Sequence, residues 1–250
     1  MRTITYNGKV STAADLGIKS VQKITRQAYP GAQMRGLSIP GLAGIRYLGK
    51  DRNSSTQAFR LWMTGDTYPQ KREYIRKIVA WLDIDDEASL VFSDEPDKRY
   101  MAVLISEINP EEMALDGFLD VAFLVPSSYA EAVTPKTVSV YPATNAGTAP
   151  APCKITATVT AVGGVASLRI NLLSAGQATG EFVLLSRALS QNNVVVIDTQ
   201  KRIVTVNGVD ARVDVGVTSK YFKLPPGQFS FTTAPSSGIS IQTEYRELWK

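Results

Sequence analysis

Seven carboxylates form the densest group of side chains capable of chemistry in this 250-residue sequence. They are Asp83, Asp85, Asp86, Glu87, Asp94, Glu95 and Asp97. Two neighbouring carboxylates can act as acid and nucleophile in glycoside hydrolysis, and several together can hold calcium. The spacing lacks the alternating ligands, central glycine and final glutamate of a calcium loop. Because Asp83 to Glu87 directly follow a predicted helix end, we expect them to be solvated surface.

Three glycines and one cysteine are the next candidates. Gly36, Gly41 and Gly44 surround the segment Ser38-Ile39-Pro40, and a glycine-rich loop can cradle phosphate where a strand meets a helix N-terminus. No Gly-Lys-Ser/Thr follows and no helix pattern begins, so we predict a shaped β-turn loop. Cys153 starts an apolar strand without a basic neighbour on its N-terminal side, which predicts a small core or edge residue rather than a nucleophile.

Aromatic residues of the C-terminal half are of a type that can stack on sugars, as in lectins of sandwich fold. They are Tyr221, Phe222, Phe229, Phe231, Tyr245 and Trp249. Most of them lie in strand patterns, where an aromatic side chain commonly fills a core. We therefore expect core packing.

The composition excludes much of the remaining chemistry. With no histidine and one cysteine, the chain has no Ser-His-Asp or Cys-His pair, no histidine-ligated metal and no cysteine-rich zinc site. We predict no catalytic, cofactor-binding or metal-binding residue, and no enzyme. One cysteine forms no intramolecular disulfide, and the N-terminal residues lack a signal-peptide pattern, so we expect synthesis in a reducing cytoplasm. The apolar runs are too short to cross a bilayer, and the net charge of +4 is not clustered as in a nucleic-acid reader.

The length and a proline-rich segment predict two domains. Residues 134–152 hold four prolines and no sustained periodicity, so we place a boundary near Thr134. Before it, Pro69 to Leu82 has the pattern of a helix, with proline in the first turn. The predicted apolar stripe is Ile75, Ile78, Val79 and Leu82, and the predicted exposed face carries Lys71, Arg72 and Lys77.

Alternating apolar and polar residues predict strands in both domains. In the first domain they are 58–63, 98–105 and 117–125. In the second they are 154–161, 167–173, 181–185, 194–198, 202–206, 221–224, 229–232 and 239–245. Asn207-Gly208 suits a type I′ hairpin turn, and Pro225-Pro226-Gly227 suits a stiff reversal. The chain is therefore predicted to be mainly β, with an α+β first domain followed by a β-sandwich or jelly roll.

The order of local sequences resembles that of one protein family. The first domain contains RGLSIPG at 35–41, a helix ending in IVAWL at 78–82, VFSDEPDKRY at 91–100 and GFLDVAFLVP at 117–126, followed by Tyr129. The second contains NAGT at 145–148 with Pro152, VNG at 206–208, LPPG at 224–227 and YRELW at 245–249. In this order and spacing, these sequences resemble the distal tail (Dit) proteins of siphophages over almost the whole chain.

The resemblance implies a fold and an assembly. It implies a tail-tube-like split β-barrel with a flanking helix in residues 1–133, and a galectin-like β-sandwich in residues 134–250. It also implies a homohexameric ring at the tail tip of the virion, assembled in the cytoplasm of the bacterial host. The expected partners are the tail tube protein, the tail-tip protein and receptor-binding proteins. DNA is expected to pass through the channel without specific binding, and no membrane is expected. Each core fills its domain, so we expect no inserted glycan-binding module.

Two hypotheses and two alternatives follow. The apolar alternation at 117–125 predicts that strands near the helix continue the inner sheet of the ring from subunit to subunit. Because a basic lumen would hold passing DNA, we expect a polar or acidic lining, with Lys71, Arg72 and Lys77 facing away. The leading alternative function is galectin-like carbohydrate binding through Tyr221 or Trp249. The other alternative is a glycan-cleaving enzyme that uses Asp85.

Overall fold

The computed structural model of the chain describes residues 2–41, 43–113 and 115–250. The chain divides after Glu131 into two compact units, and the second extends from Ala132 to Trp249. Within the described residues it forms one α-helix, one short 3-10 helix and 22 strands, which makes the fold mainly β, as predicted. No helix in these ranges is long and apolar enough to cross a membrane.

The first unit contains the α-helix and one curled antiparallel sheet with an additional hairpin. Its elements are β1 (Ile4–Tyr6), β2 (Lys9–Val10), β3 (Ile18–Arg26), β4 (Ala32–Ser38), β5 (Ile45–Arg52), β6 (Ser55–Thr64), α1 (Tyr68–Leu82), β7 (Ala88–Phe92), β8 (Glu95–Leu104), β9 (Pro110–Met113), β10 (Asp116–Val125) and β11 (Ala130–Ala132), which reaches the boundary.

The main sheet of the first unit has the strand order β2-β1-β7-β8-β10-β6-β3, and β9 adds to β10. β10 and β6 pair over ten residues, from Asp116 opposite Thr64 to Val125 opposite Ser55. The Val21 N–H of the last strand donates to the Arg2 carbonyl oxygen at 3.2 Å, which brings β3 back to the segment before β1. The sheet therefore curls into a half-barrel around its core.

The predicted helix is confirmed, with one more residue at its start. The Thr67 hydroxyl caps it by accepting from the Gln70 N–H, and proline occupies the first turn. Ile78, Trp81 and Leu82 are buried in the core, and the Trp81 indole donates to the Tyr6 carbonyl oxygen at 2.9 Å. The helix is held against β1 by apolar packing and by this one directional bond.

Lys71 corrects the prediction that it lies on the exposed face of the helix. Its relative exposure is 2%, and its ammonium group donates to the Asp116 carbonyl oxygen at 2.6 Å. Gly65 makes room for this arrangement, because a Cβ at that position would lie 3.1 Å from the Lys71 backbone nitrogen. Lys71 lies four residues before Ile75 and seven before Ile78, so helical periodicity itself places it on the buried stripe, and its assignment to the opposite face was wrong.

β10 also corrects a prediction. Its alternation is real, since Leu119, Val121 and Phe123 are buried on one face. However, β10 is an interior strand, paired with β6 on one side and with β8 and β9 on the other. It therefore has no free edge with which to continue a sheet into another subunit.

The second unit consists of two antiparallel sheets. Its elements are β12 (Lys136–Val138), β13 (Ala143–Asn145), β14 (Cys153–Val159), β15 (Leu168–Ser174), β16 (Gln177–Leu185), β17 (Val194–Asp198), β18 (Ile203–Val206), β19 (Val209–Asp210), the 3-10 helix (Arg212–Asp214), β20 (Gly227–Ala234), β21 (Ile239–Tyr245) and β22 (Leu248–Trp249). The strand orders are β12-β21-β14-β17-β18-β19 and β13-β20-β15-β16.

The second unit is a β-sandwich, as predicted. The rings of Phe229 and Tyr245, one from each sheet, meet with centroids 5.5 Å apart. The predicted type I′ turn is confirmed by positive φ angles at Asn207 and Gly208. The predicted strand 221–224 is wrong: this segment makes one isolated bridge, from Leu224 to Ala151, and no ladder. Its apolar residues point inward from an extended loop.

The last turn of the sandwich is held by a buried carboxylate. Glu247 is almost completely buried and accepts from the Lys136 ammonium group at 2.6 Å and from the Ala146 N–H at 2.8 Å. A buried carboxylate is tolerated when it is paired and hydrogen-bonded in this way.

Candidate functional site

The hairpin of β4 and β5 is the most exposed structured segment of the first unit. It forms a two-stranded sheet of its own and contributes no residue to the hydrophobic core. We call residues 32–52 the arm. The prediction of a β-turn loop at Gly36, Gly41 and Gly44 is therefore only partly right. Gly41 and Gly44 have positive φ angles at the tip, Gly36 lies inside β4, and Leu42 lies outside the described residues.

The register of the arm gives it two chemically different faces. Residues directly opposite each other share a face, and alternate residues along a strand do so too. Tyr47 lies opposite Gly36, and Ile45 lies opposite Ser38, so these positions share a face with Met34. The other face carries Arg35, Leu37 and Arg46. One face is therefore mainly apolar, with Met34, Ile45 and Tyr47 beside Lys50, which lies opposite Met34. The other face is mainly basic, with Leu37 between Arg35 and Arg46.

The apolar face of the arm is open to solvent. Met34, Ile45 and Tyr47 are each more than half exposed. Ile45 covers the space above Gly36, where a Cβ would lie 2.9 Å from its Cδ1. A cluster of large apolar side chains on an exposed hairpin marks an interaction surface, because scattered single residues are ordinary but grouped ones are not.

Charge is distributed unequally between the arm and the rest of the first unit. Residues 32–52 carry four basic residues and one acidic residue. Outside the arm, residues 2–131 carry twelve basic and sixteen acidic residues. The Arg35–Asp51 ion pair, 2.6 Å long and well exposed, neutralises little of this difference. The arm of one molecule is therefore complementary in charge to the body of another.

A groove of about 620 Å³ lies on the outer face of β3, β6 and β10. Its charged residues are Arg60 and Asp120, which pair through the Arg60 Nε at 2.7 Å, and the guanidinium lies 5.5 Å from the Phe118 ring centroid. A carboxylate held by a guanidinium is poorly suited to act as a base. The groove offers apolar area and a fixed ion pair.

A second exposed apolar surface lies on one side of the sandwich, on the segment Asp214–Lys220. This segment runs along β16, with the Gly216 N–H donating to Leu184 O and the Lys220 N–H donating to Phe182 O, each at 2.8 Å. Val213 lies just before this segment and Val217 lies within it, and both are almost completely exposed. We call residues 213–220 the flank ribbon.

The acidic residues predicted to be solvated are found on the surface. Asp83, Asp85, Asp86 and Glu87 are exposed in the turn after α1. Asp94 and Glu95 instead hold Arg26, whose guanidinium also lies 3.9 Å from the Phe92 ring centroid. The hydrogen bond and charge of Arg26 lower the pKa of the Asp94 carboxyl. No group of three or more His, Cys, Asp or Glu in the described ranges can hold a metal ion.

The cysteine and four of the six aromatic residues are packing groups, as predicted. Cys153 is buried, and burial raises the pKa of its thiol to about 12. Phe222, Phe229 and Tyr245 are buried in the sandwich, and Phe231 packs its ring against Phe222 and Phe229. The remaining two, Tyr221 and Trp249, are half-buried. These aromatic residues therefore form no open stacking platform.

Comparison with known families accounts for both units. Residues 11–125 match the phage tail protein RIFT-related domain, and residues 146–249 match the C-terminal domain of the siphovirus-type tail component. The chain belongs to the siphophage distal tail protein (Dit) family. It is therefore a structural phage tail protein, and the resemblance seen in the sequence is confirmed.

Solved structures agree with a Dit fold over the whole chain. The crystal structure of SPP1 Dit (gp 19.1), described as a paradigm of the hub adsorption apparatus in phages that infect Gram-positive bacteria, matches with a TM-score of 0.80. The identity is 16%, and the match covers 100% of both chains. Chains of the phage P2 baseplate in its activated conformation, with Ca and with Sr, match with TM-scores of 0.54 and 0.52 at 7% identity. No curated protein matches the chain in sequence.

The arm and the flank ribbon are the surfaces that sequence reasoning missed. For the arm, a signal was present: Met34, Gly36 and Ser38 alternate before the Pro40-Gly41 turn, and Ile45 and Tyr47 alternate after it. The glycine inside this pattern and the basic residues between its apolar positions weaken the strand signal, so the two strands of the arm were not predicted.

Proposed function

We propose that six copies of this Dit close into a ring that joins the tail tube protein to the tail-tip or baseplate protein. Residues 1–133 would be the tail-tube-like, ring-forming domain, and residues 134–250 the galectin-like domain at the periphery. The observation that carries this proposal is the arm, which is ordered, apolar on one face and without a partner sheet in its own chain. Six equal head-to-tail contacts close when each rotates the next subunit by a sixth of a turn.

The arm is best suited to contact a second copy of the chain. Its excess of basic residues faces an excess of acidic residues on the rest of the first unit, so opposite charges attract between copies. Its exposed Met34, Ile45 and Tyr47 would lose contact with water there, which supplies the main stabilisation. A head-to-tail contact of this kind uses two different surfaces and therefore propagates around a ring.

The channel and the periphery follow from the same arrangement. DNA would pass through the ring without specific binding, past a polar or acidic lining, with Arg72 and Lys77 of α1 facing away. Receptor-binding components would attach to the sandwich. Residues 132–249 carry ten basic and six acidic residues, and the flank ribbon adds exposed Val213 and Val217. A partner with acidic and apolar side chains fits that surface.

The protein would act by assembly and not by catalysis, at the tail tip of the virion, after assembly in the host cytoplasm. The carboxylate of the groove is paired with Arg60, and the exposed carboxylates stand in a solvated turn without a cleft. Glycan binding has no comparable support, because four of the six aromatic residues pack in or against the sandwich core, and Tyr221 and Trp249 are half-buried.

The oligomeric state tests the proposal. Mass photometry and negative-stain images of the full chain are expected to show rings of six subunits. A variant in which a short Gly/Asn turn replaces residues 33–51 is expected to remain a folded monomer, because the arm adds nothing to the core. A wild-type chain that stays monomeric at high concentration, without rings, would overturn the proposal.

The peripheral contact has a separate test. Val217→Glu is expected to abolish binding of the purified receptor-binding protein of the same phage to the ring, while the ring mass stays unchanged. Unchanged binding would contradict the role of the flank ribbon in attaching the receptor-binding protein, but it would not contradict the proposed ring.

A further inference from the structure

The root of the arm is held by a stack of three side chains. Arg52, the last residue of β5, lies between two tyrosines: its guanidinium carbon is 5.5 Å from the Tyr29 ring centroid and 5.2 Å from the Tyr129 ring centroid. Tyr29 precedes β4, and Tyr129 follows β10 on the rim of the half-barrel. The stack therefore connects both strands of the arm to the barrel. We call these three residues the clamp.

Hydrogen bonds reinforce the same junction. The Asn53 N–H donates to the Gly31 carbonyl oxygen at 3.4 Å, and the Ser128 hydroxyl donates to the Asn53 carbonyl oxygen. The Thr56 N–H donates to the Gln27 side-chain oxygen at 2.9 Å. Three separate segments thus meet at the root, and the arm has a defined direction although β4 and β5 pair with no other strand of the described structure.

Arg52 occupies this position although one of its polar atoms has no partner. Its Nη1 is buried and makes no hydrogen bond within the described structure. Buried guanidinium nitrogens are normally satisfied, so an exception calls for an explanation. The planar guanidinium can stack on two aromatic faces at once, which the compact ammonium group of lysine does less well. Stacking fixes the orientation of Arg52, and hydrogen bonding does not.

A small rotation at the root has a large effect at the tip. Strands of seven and eight residues give the arm a length of roughly 25 Å at about 3.3 Å per residue. A change of about 10° at the root therefore moves the tip by roughly 4 Å, which is most of the spacing between neighbouring strands. For a closed ring, a rotation of about 60° per contact gives six subunits and about 51° gives seven. The angle of the arm must therefore be held to within a few degrees.

We propose that the Tyr29–Arg52–Tyr129 clamp sets the angle of the arm and thereby the number of subunits at which the ring closes. This inference rests on the proposed function, because it assigns a positioning role within the same contact. The apolar face of the arm provides the affinity of the contact, and the clamp provides its direction.

The test compares Arg52→Met, which keeps side-chain length and loses the planar cation, with Arg76→Met on α1, outside the arm. Arg76 is exposed, and no ring contact of its guanidinium is found in the described structure, so its variant controls for loss of charge. Arg52→Met is expected to associate at wild-type concentrations but to give a broad mass distribution with open arcs or rings of other sizes. Arg76→Met is expected to form six-subunit rings. Arg52→Lys, which keeps a cation over the rings, is expected to restore part of the six-subunit population.

Hydrogen exchange separates positioning from folding. Residues 32–52 of Arg52→Met are expected to exchange faster than in wild type, with unchanged protection of β6 and β10. If Arg52→Met does not fold, Tyr129→Leu replaces it in the test, because this variant removes one ring of the clamp. The distribution of ring masses is then measured for Tyr129→Leu in the same way. Uniform six-subunit rings in the folded clamp variants would overturn the inference, and so would folded variants that remain entirely monomeric. A monomeric wild type would instead overturn the proposed function itself.

Discussion

Replacing Tyr47 by serine tests the apolar face of the arm as the ring contact. Tyr47 is 59% exposed and touches no core residue of its own chain. Fully covering a tyrosine buries roughly 150–250 Å², so covering the exposed part removes roughly 90–150 Å² from water. At about 25 cal/mol per Å² this corresponds to about 2–4 kcal/mol. Ordering of the side chain and desolvation of its hydroxyl reduce the net value to about 1–2 kcal/mol per contact.

This loss applies to every contact around the ring. One contact weakens by about 5–30-fold, and in a closed ring of six the losses add. Sedimentation velocity over a concentration series is therefore expected to show Tyr47→Ser as monomers and short fragments at concentrations where the wild-type chain is a ring. At dilutions where both proteins are monomeric, the midpoint of thermal unfolding is expected to be the same for Tyr47→Ser and wild type, because the side chain stabilises no part of the isolated unit.

The first unit offers a matched control for this experiment. Tyr68 is 63% exposed and lies at the start of α1, outside the arm. Tyr68→Ser removes the same chemical groups at nearly the same exposure, so it is expected to form rings like the wild type. Equal weakening in both variants, or equally stable rings of wild type and Tyr47→Ser, would refute the assignment of the contact to the arm.

Three further predictions concern the stability and reactivity of the chain. Arg26 lowers the pKa of the Asp94 carboxyl in the folded state, so this ion pair stabilises the fold at any pH above the pKa of an unfolded aspartate. The stabilisation is lost as the pH falls through the lower, folded-state pKa. Acid titration followed by circular dichroism should show this loss in wild type and less of it in Arg26→Met. Cys153 is buried, and burial raises the pKa of its thiol to about 12, so the thiol is both inaccessible and protonated at pH 8. Iodoacetamide at pH 8 should therefore alkylate it only after denaturation, and mass spectrometry of the intact protein will show whether it does. Glu247→Ala removes the acceptor of the part-buried Ala146 N–H and of the Lys136 ammonium group, and should destabilise the sandwich by about 1–3 kcal/mol. Glu244→Ala on the exposed side should change urea unfolding little.

Elements with a clear local signal were predicted well. The bounds of β17 and β21 were predicted correctly, because β17 is a short apolar run between polar segments and β21 alternates apolar and polar residues. Helix α1 was predicted to within one residue, since Thr67, the early proline and the apolar stripe act within the helix itself. The packing role of Cys153 followed in the same way from its apolar surroundings along the chain.

β3 was missed for an identifiable reason. Its buried or partly buried apolar residues are Ile18, Val21 and Ile24, spaced by three rather than by two. Two register shifts against β6, one after Ile18 and one after Val21, rotate the strand so that all three face the core. Such irregularities depend on the partner strand, so the periodicity of the isolated segment does not predict them.

The sequence by itself determined the two β-rich halves, the helix, the absence of histidine chemistry and, through its ordered motifs, the Dit family. These features depend on composition and on neighbours along the chain. Only the tertiary structure decided that the buried Lys71 ammonium group donates to the Asp116 carbonyl oxygen, that residues 32–52 stand out as an arm, and that Arg52 lies between two tyrosines. These features depend on which segments, distant in sequence, pack against a residue. Those contacts form only when the sheet curls and its strands pair, so neighbours along the chain do not determine them.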